Sequence, residues 1–271
     1  MGAAEVVQRV LDLVRTYAVR QPVGGPRLRL GVIWFLALVA LVVGSFAITV
    51  LFGLIATIGG LQVAGLWKHR KVAVNQLVAG GGAGLMALGA WSSVRAAAVA
   101  IVAMAFAALV LGTDNELGRS SFTKARLSST LPVASATLRS GLFLGLAAAA
   151  TVQVHRVDPM SFLYLMSVAC VYDCGDYLIG SGSRNRLVGP VAGLVGVLVV
   201  VIAMTAINPP PLLDDGDVRK LGVAMALACP LGQLLGSWTL PSSRAKAPAL
   251  RRLDSWLLTA PACLVGLWVL T

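Results

Sequence analysis

Three carboxylates stand where carboxylates are costly. Asp173 and Asp176 lie inside the apolar run 159–180, and Asp254 opens the last apolar run, 253–271. The other acidic residues of the chain fall in polar segments. A carboxylate at mid-membrane costs about 2.5–3.5 kcal/mol on insertion scales, so three in apolar runs point to a purpose. Asp173 and Asp176 are three residues apart and share a helix face, where they repel unless a cation or a basic side chain stands between them. Carboxylates suit a hard cation such as Mg²⁺. The arginines nearby in sequence, Arg184, Arg186, Arg251 and Arg252, suit bidentate contact with phosphate oxygens. That chemistry fits phosphoryl or nucleotidyl transfer, in which metal and arginine neutralise developing charge. Plain interhelical salt bridges, for example Asp176 with Arg252, would use the same residues, and electrostatics alone leaves both readings open.

The elements that must carry these side chains are membrane-spanning helices. The chain has 271 residues, of which 58% are hydrophobic and 12% charged, about half the charge of a soluble domain. Apolar runs at 31–48, 49–67, 72–91, 96–112, 140–154, 159–180, 187–207, 220–240 and 253–271 are read as nine spans, the first two divided near Gly44–Ser45. With the N-terminus in the cytoplasm, all 22 Lys and Arg except Arg95, Arg156, Arg219 and Lys220 fall in cytoplasmic segments, as the positive-inside rule asks. The six tryptophans, Trp34, Trp67, Trp91, Trp238, Trp256 and Trp268, fall near span ends, where an aromatic belt is expected. This topology places the three aspartates at the cytoplasmic level and separates His69 from His155.

Other features narrow the reading. The net charge of +11 sits in short loops between apolar runs with no aromatic-interleaved basic stripe, so nucleic acid is not the expected partner. Residues 5–18 read as an amphipathic helix on the cytoplasmic membrane surface. The four cysteines, Cys170, Cys174, Cys229 and Cys263, read as packing residues. Pairs of glycines four apart, Gly80 with Gly84, Gly189 with Gly193 and Gly232 with Gly236, read as close helix contacts. No Ser-His-Asp set and no phosphate-binding Gly-x-x-x-x-Gly-Lys-Ser/Thr loop is present.

Two stretches resemble the phosphatidate cytidylyltransferase family, multispan enzymes that join CTP to phosphatidic acid and release pyrophosphate. Asp173-Cys-Gly-Asp-Tyr-Leu-Ile-Gly180 is similar to that family's Asp-x-Gly-Ala-Tyr-x-x-Gly, and Gly193-Leu-Val-Gly196 follows it as in Glu-Gly-x-x-Gly. Leu250-Arg-Arg-Leu-Asp-Ser255 resembles Leu-Asp-Arg-x-Asp-Ser, and Gly232-Gln-Leu-Leu-Gly-Ser237 resembles Gly-Asp-Leu-x-x-Ser. The likeness covers about residues 165–265. It departs where Gln233 and Arg251 replace acids of the motifs and where the Lys-Asp pair and the His-Gly-Gly are missing. The resemblance implies Asp173, Asp254 and Arg252 as catalytic residues, with Asp173, Asp176 and Asp254 holding Mg²⁺. It further implies that Arg184, Arg186, Arg244, Lys246 and Ser255 bind the substrate phosphates.

The expectation is therefore an all-α polytopic transmembrane bundle of about nine spans with a cytoplasmic N-terminus, in a bacterial cell membrane. It divides into a cytoplasmic helix and linker (1–30), four N-terminal spans (31–112), a cytoplasmic loop (113–139) and five C-terminal spans carrying the motifs (140–271). The expected function is CTP-dependent transfer of CMP to phosphatidic acid or a related lipid phosphate. The alternative is an inactive member of that fold serving as a membrane-interaction or lipid-binding subunit; membrane lipids are partners in either case, and a homodimer is compatible with both. A transporter using the same acids is disfavoured by the lack of two repeated halves.

Overall fold

The structure is a computed structural model. It describes residues 5, 8, 9, 12, 27–111, 124–181, 183, 185–212, 214–242, 245 and 247–271, with backbone alone for 27–31, 33, 34, 124–130 and 252. All regular structure among these residues is helical. The elements are α1 (Arg27–Val43), α2 (Ser45–His69), α3 (Gln76–Ser92), α4 (Val94–Leu111) and α5 (Lys124–Val157), then α6 (Pro159–Gly180), α7 (Val188–Ile207), α8 (Asp215–Thr239), the single turn α9 (Leu250–Leu253) and α10 (Trp256–Leu270). Six helical stretches, Ser45–His69, Val94–Leu111, Leu131–Val157, Pro159–Gly180, Val188–Ile207 and Asp215–Thr239, are long and apolar enough to cross a membrane. Their outward faces are apolar too: Val195, Leu198, Val199 and Ile202 of α7 are all exposed. Apolar surface of that extent belongs against lipid, and the chain is a helical membrane protein.

Local chemistry sets the helix ends. Gly44 takes φ +117° between α1 and α2, a conformation that glycine adopts without a Cβ penalty. It divides the long apolar stretch at the expected place. The Asn75 side chain caps α3 by accepting from Val78 N at 3.1 Å. Asp158 caps α6 by accepting from Ser161 N at 2.8 Å, ahead of Pro159 in the first turn. Asp214 caps α8 by accepting from the amides of Gly216 and Asp217 at 2.8 and 3.2 Å. Side-chain oxygens satisfy the orphan amides of a first turn, and negative charge there complements the helix dipole. That cap starts α8 five residues before the expected position.

Two expectations are corrected. The loop expected over 113–139 is helical from Lys124 onward. Its hydroxyl residues make it read as polar, yet they bond back to the helix's own carbonyls: Ser135 Oγ to Pro132 O at 2.9 Å, and Thr137 Oγ1 to Val133 O at 2.8 Å, so they do not break it. Trp256, expected in an interfacial belt, is 1% exposed. Its ring packs on Phe52 at a centroid distance of 4.9 Å and on Phe162 at 6.3 Å, burying a large apolar surface between α2, α6 and α10. The surface helix expected over 5–18 lies largely outside the described residues; Glu5, Gln8, Arg9 and Asp12 are helical and exposed, and Arg9 pairs with Glu5 at 3.0 Å.

Small residues set the packing distances, as their spacing predicted. A Cβ at Gly60 would meet Ala79 O at 2.8 Å, and one at Gly80 would meet Leu61 Cγ at 2.6 Å, so α2 and α3 touch backbone to backbone. A Cβ at Gly175 would meet Gly193 Cα at 2.8 Å, and one at Gly180 would meet Gly189 Cα at 2.6 Å, closing α6 on α7 in the same way. The bundle has two distinguishable ends. At one, Trp67 Nε1 donates to Thr239 O at 2.8 Å and Ala249 N to Gln62 Oε1 at 3.0 Å. At the other, Arg156 Nη1 donates to Ala90 O at 2.9 Å.

Candidate functional site

The motif-bearing segments converge on one place. Asp173 and Asp176 sit on the last two turns of α6. Gln233 and Ser237 lie on the last turns of α8, and Arg251, Asp254 and Ser255 occupy the turn that joins α9 to α10. Close glycine contacts bring these pieces together. A Cβ at Gly232 would meet Asp254 O at 2.5 Å and Ser255 O at 2.8 Å, and one at Gly236 would meet the Asp254 Cβ at 2.8 Å. A Cβ at Gly189 would collide with Asp176 Oδ1. The glycines of the resembling motifs are thus the residues that let α7 and α8 approach the acids.

A hydrogen-bond network runs through the site. Tyr172 Oη donates to Gln233 Oε1 at 3.0 Å, and Gln233 Nε2 donates to Asp176 Oδ2 at 3.0 Å. Arg251 Nη1 donates to Ser237 Oγ at 2.8 Å and stands 3.5 Å from Asp254 Oδ2. Ser237 Oγ donates to Gln233 O at 3.0 Å, and the Ser255 amide donates to Asp254 Oδ1 at 3.0 Å. Asp176 and Asp254 are buried, at 8% and 6% exposure. Buried polar groups must be paired to be tolerated, and the network supplies pairs to both.

Asp173 is placed differently. It is in Coulombic contact with Asp254 and Asp176, and its carboxyl faces the Ser255 hydroxyl. That hydroxyl is fully buried and has no other polar partner among the described residues. The three aspartates therefore share one electrostatic neighbourhood drawn from two segments far apart in sequence.

Of the other expected site residues, Ser255 joins the cluster and Arg186 is exposed in the turn between α6 and α7. Arg184, Arg244, Lys246 and the Arg252 side chain lie outside the described residues. Three residues not expected at the site, Tyr172, Gln233 and Ser237, complete it together with Arg251, which the sequence offered as a phosphate-binding arginine and which here pairs with Asp254. Gln233 stood out in the sequence only as a departure from the motifs. The signals for Gln233 and for the Arg251 pairing were a lone amide within an apolar helix, and a basic residue three positions before an aspartate, where the two side chains meet across a helical turn.

The donor set does not fit a Mg²⁺ site held by Asp173, Asp176 and Asp254. Among the described residues no three His, Cys, Asp or Glu side chains converge as metal ligands. The Asp254 carboxylate already faces a guanidinium, and one Asp176 oxygen is taken by a neutral amide. Mg²⁺ demands a compact octahedron of oxygen donors, and a fixed positive charge beside one of the donors opposes it. Neither the family models nor the curated proteins searched give a match to this chain.

Proposed function

We propose that this chain is a nine-span membrane protein that binds a phosphate-bearing lipid at the charged end of its bundle and does not carry out nucleotidyl transfer. The observation that carries this reading is the pairing of Arg251 with Asp254 and of Gln233 with Asp176. At the two positions where the resembling motifs have acids, this chain has a cation and an amide, and both turn inward to bond the acids that remain. Charge needed to bind metal and triphosphate is thereby taken up by internal pairing, while the close glycine contacts between the helices are kept. The same end of the bundle carries the exposed Arg70, Lys71 and Arg186. Basic residues at a membrane surface attract anionic headgroups by about 1 kcal/mol each. Arg184, Arg186, Arg244, Lys246 and Arg252 are the residues assigned to the lipid phosphate, and the N-terminus and this end of the bundle are assigned to the cytoplasm.

A second reading is CTP-dependent transfer of CMP to phosphatidic acid, as the resemblance implies. One observation favours it: Asp173 and the Ser255 hydroxyl face each other beside Asp254. Incubation of the purified full chain with labelled CTP, Mg²⁺ and phosphatidic acid separates the two. The first reading expects neither CDP-lipid nor pyrophosphate. Formation of both, abolished by Asp254→Asn, establishes the second.

A further inference from the structure

We infer that Arg251 is the built-in counter-cation of the acidic cluster, occupying the electrostatic role of a divalent metal ion and making the cluster metal-independent. This deepens the reading of the site as one without transfer chemistry and rests on it, but its test uses neither lipid nor nucleotide.

The cluster needs a cation. Asp173, Asp176 and Asp254 are in mutual Coulombic contact, and like charges in a low-dielectric site are tolerated only when compensated. Asp173, half-buried, lies in the field of the other two acids and beside the Ser255 hydroxyl, which pairs with nothing else among the described residues. Among the described residues, the cation in the cluster is the Arg251 guanidinium, 3.5 Å from Asp254 Oδ2.

Its position is fixed rather than adventitious. Nη1 donates to Ser237 Oγ at 2.8 Å, and Ser237 Oγ in turn donates to Gln233 O at 3.0 Å, so the head is anchored on α8 while its backbone belongs to α9. The Arg251 side chain is 19% exposed and the Asp254 side chain 9%; the pair is largely shielded from water, where screening is weak. A guanidinium holds its charge at every accessible pH. A divalent ion drawn to Asp254 would therefore always meet a positive charge on the same carboxylate. Arg251 acts here as a positioning residue and an electrostatic plug.

The test is Mn²⁺ binding to the detergent-solubilised full chain, read by electron paramagnetic resonance, alongside thermal unfolding. Wild type should show no stoichiometric Mn²⁺ site and no Mn²⁺-dependent shift in its unfolding temperature. Arg251→Asp should gain one site, at least about tenfold tighter than any wild-type binding, because the plug is replaced by a hard oxygen donor beside Asp254. Adding Asp254→Asn should remove it. Should Arg251→Asp fail to fold, Arg251→Gln decides: it removes the charge and keeps a donor to Ser237, and Mn²⁺ should then raise its unfolding temperature. A wild-type Mn²⁺ site lost on Asp254→Asn overturns the inference. So does a folded Arg251→Asp, or a folded Arg251→Gln, that is indifferent to Mn²⁺. Loss of lipid binding in any assay would leave these outcomes unchanged and would count only against the lipid-binding reading.

Discussion

The Gln233 amide donates to the Asp176 carboxylate at 3.0 Å while accepting from the Tyr172 hydroxyl at the same distance. One neutral side chain on α8 thus satisfies two polar groups on α6, four residues apart and on one face of that helix. Gln233→Leu removes both bonds. Leaving a buried group unsatisfied costs about 1–3 kcal/mol, so thermal unfolding in detergent should shift downward by that order. A double-mutant cycle with Asp176→Asn should give a coupling of roughly 0.5–3 kcal/mol. Strict additivity would show that the bond contributes nothing to stability.

Gly189 faces Asp176 so closely that a Cβ there would collide with the carboxylate, whereas Gly81 has nothing within 4 Å of a built Cβ. Gly189→Val should cost at least about 1–3 kcal/mol through overpacking and separation of α6 from α7. Gly81→Ala should be neutral or stabilise by up to about 1 kcal/mol, because it removes glycine's backbone entropy from a helix interior. Equal unfolding temperatures for the two variants would contradict the packing described for α6 and α7.

Arg139 lies with Cζ 3.9 Å from the Trp238 ring centroid and 5.1 Å from that of Trp67, whose Nε1 donates to Thr239 O. This clasp ties α2, α5 and α8 together at the end of the bundle that holds the acids. Arg139→Ala should destabilise by about 0.5–2 kcal/mol, the range of cation–π contacts. It should also shift the tryptophan emission. An unchanged emission spectrum together with unchanged stability would remove the clasp from the account.

The topology assigned above predicts labelling from one side. In a cysteine-free background, Gly216→Cys should react with an impermeant maleimide on intact cells, and Ser183→Cys should react only after permeabilisation. The reverse pattern would place the acidic cluster on the outer side.

Much of this architecture is legible in the sequence, for identifiable reasons. The break at Gly44 is a local event, written in the residue where it occurs; the Asp214 cap is as local, yet the span read from hydropathy starts five residues later, because a capping turn is polar. The glycine pairs at 189/193 and 232/236 announce close contacts because only small residues permit them. What was not legible depends on partners. Residues 124–139 look like loop because their hydroxyls count as polar in one dimension, although in space they bond their own helix. Trp256 lies near the start of a helix, as a belt tryptophan would, and only the positions of Phe52 and Phe162 reveal a core residue. Spacing paired Asp173 with Asp176, and the assigned topology with the motif resemblance put Asp254 at their level. An example of a salt bridge read from the sequence was Asp176 with Arg252; the structure pairs Arg251 with Asp254, three residues apart on one turn, and the Arg252 side chain lies outside the described residues.

The central claim is that the charged end of the bundle holds a lipid phosphate and leaves it unmodified. Native mass spectrometry of the full chain, released from nanodiscs containing phosphatidylcholine and phosphatidic acid after incubation with CTP and Mg²⁺, tests it directly. The account predicts one retained phosphatidic acid per chain, enriched over phosphatidylcholine, with no mass corresponding to a CDP-lipid. A CDP-lipid adduct, or a chain that retains phosphatidic acid no better than phosphatidylcholine, would contradict it.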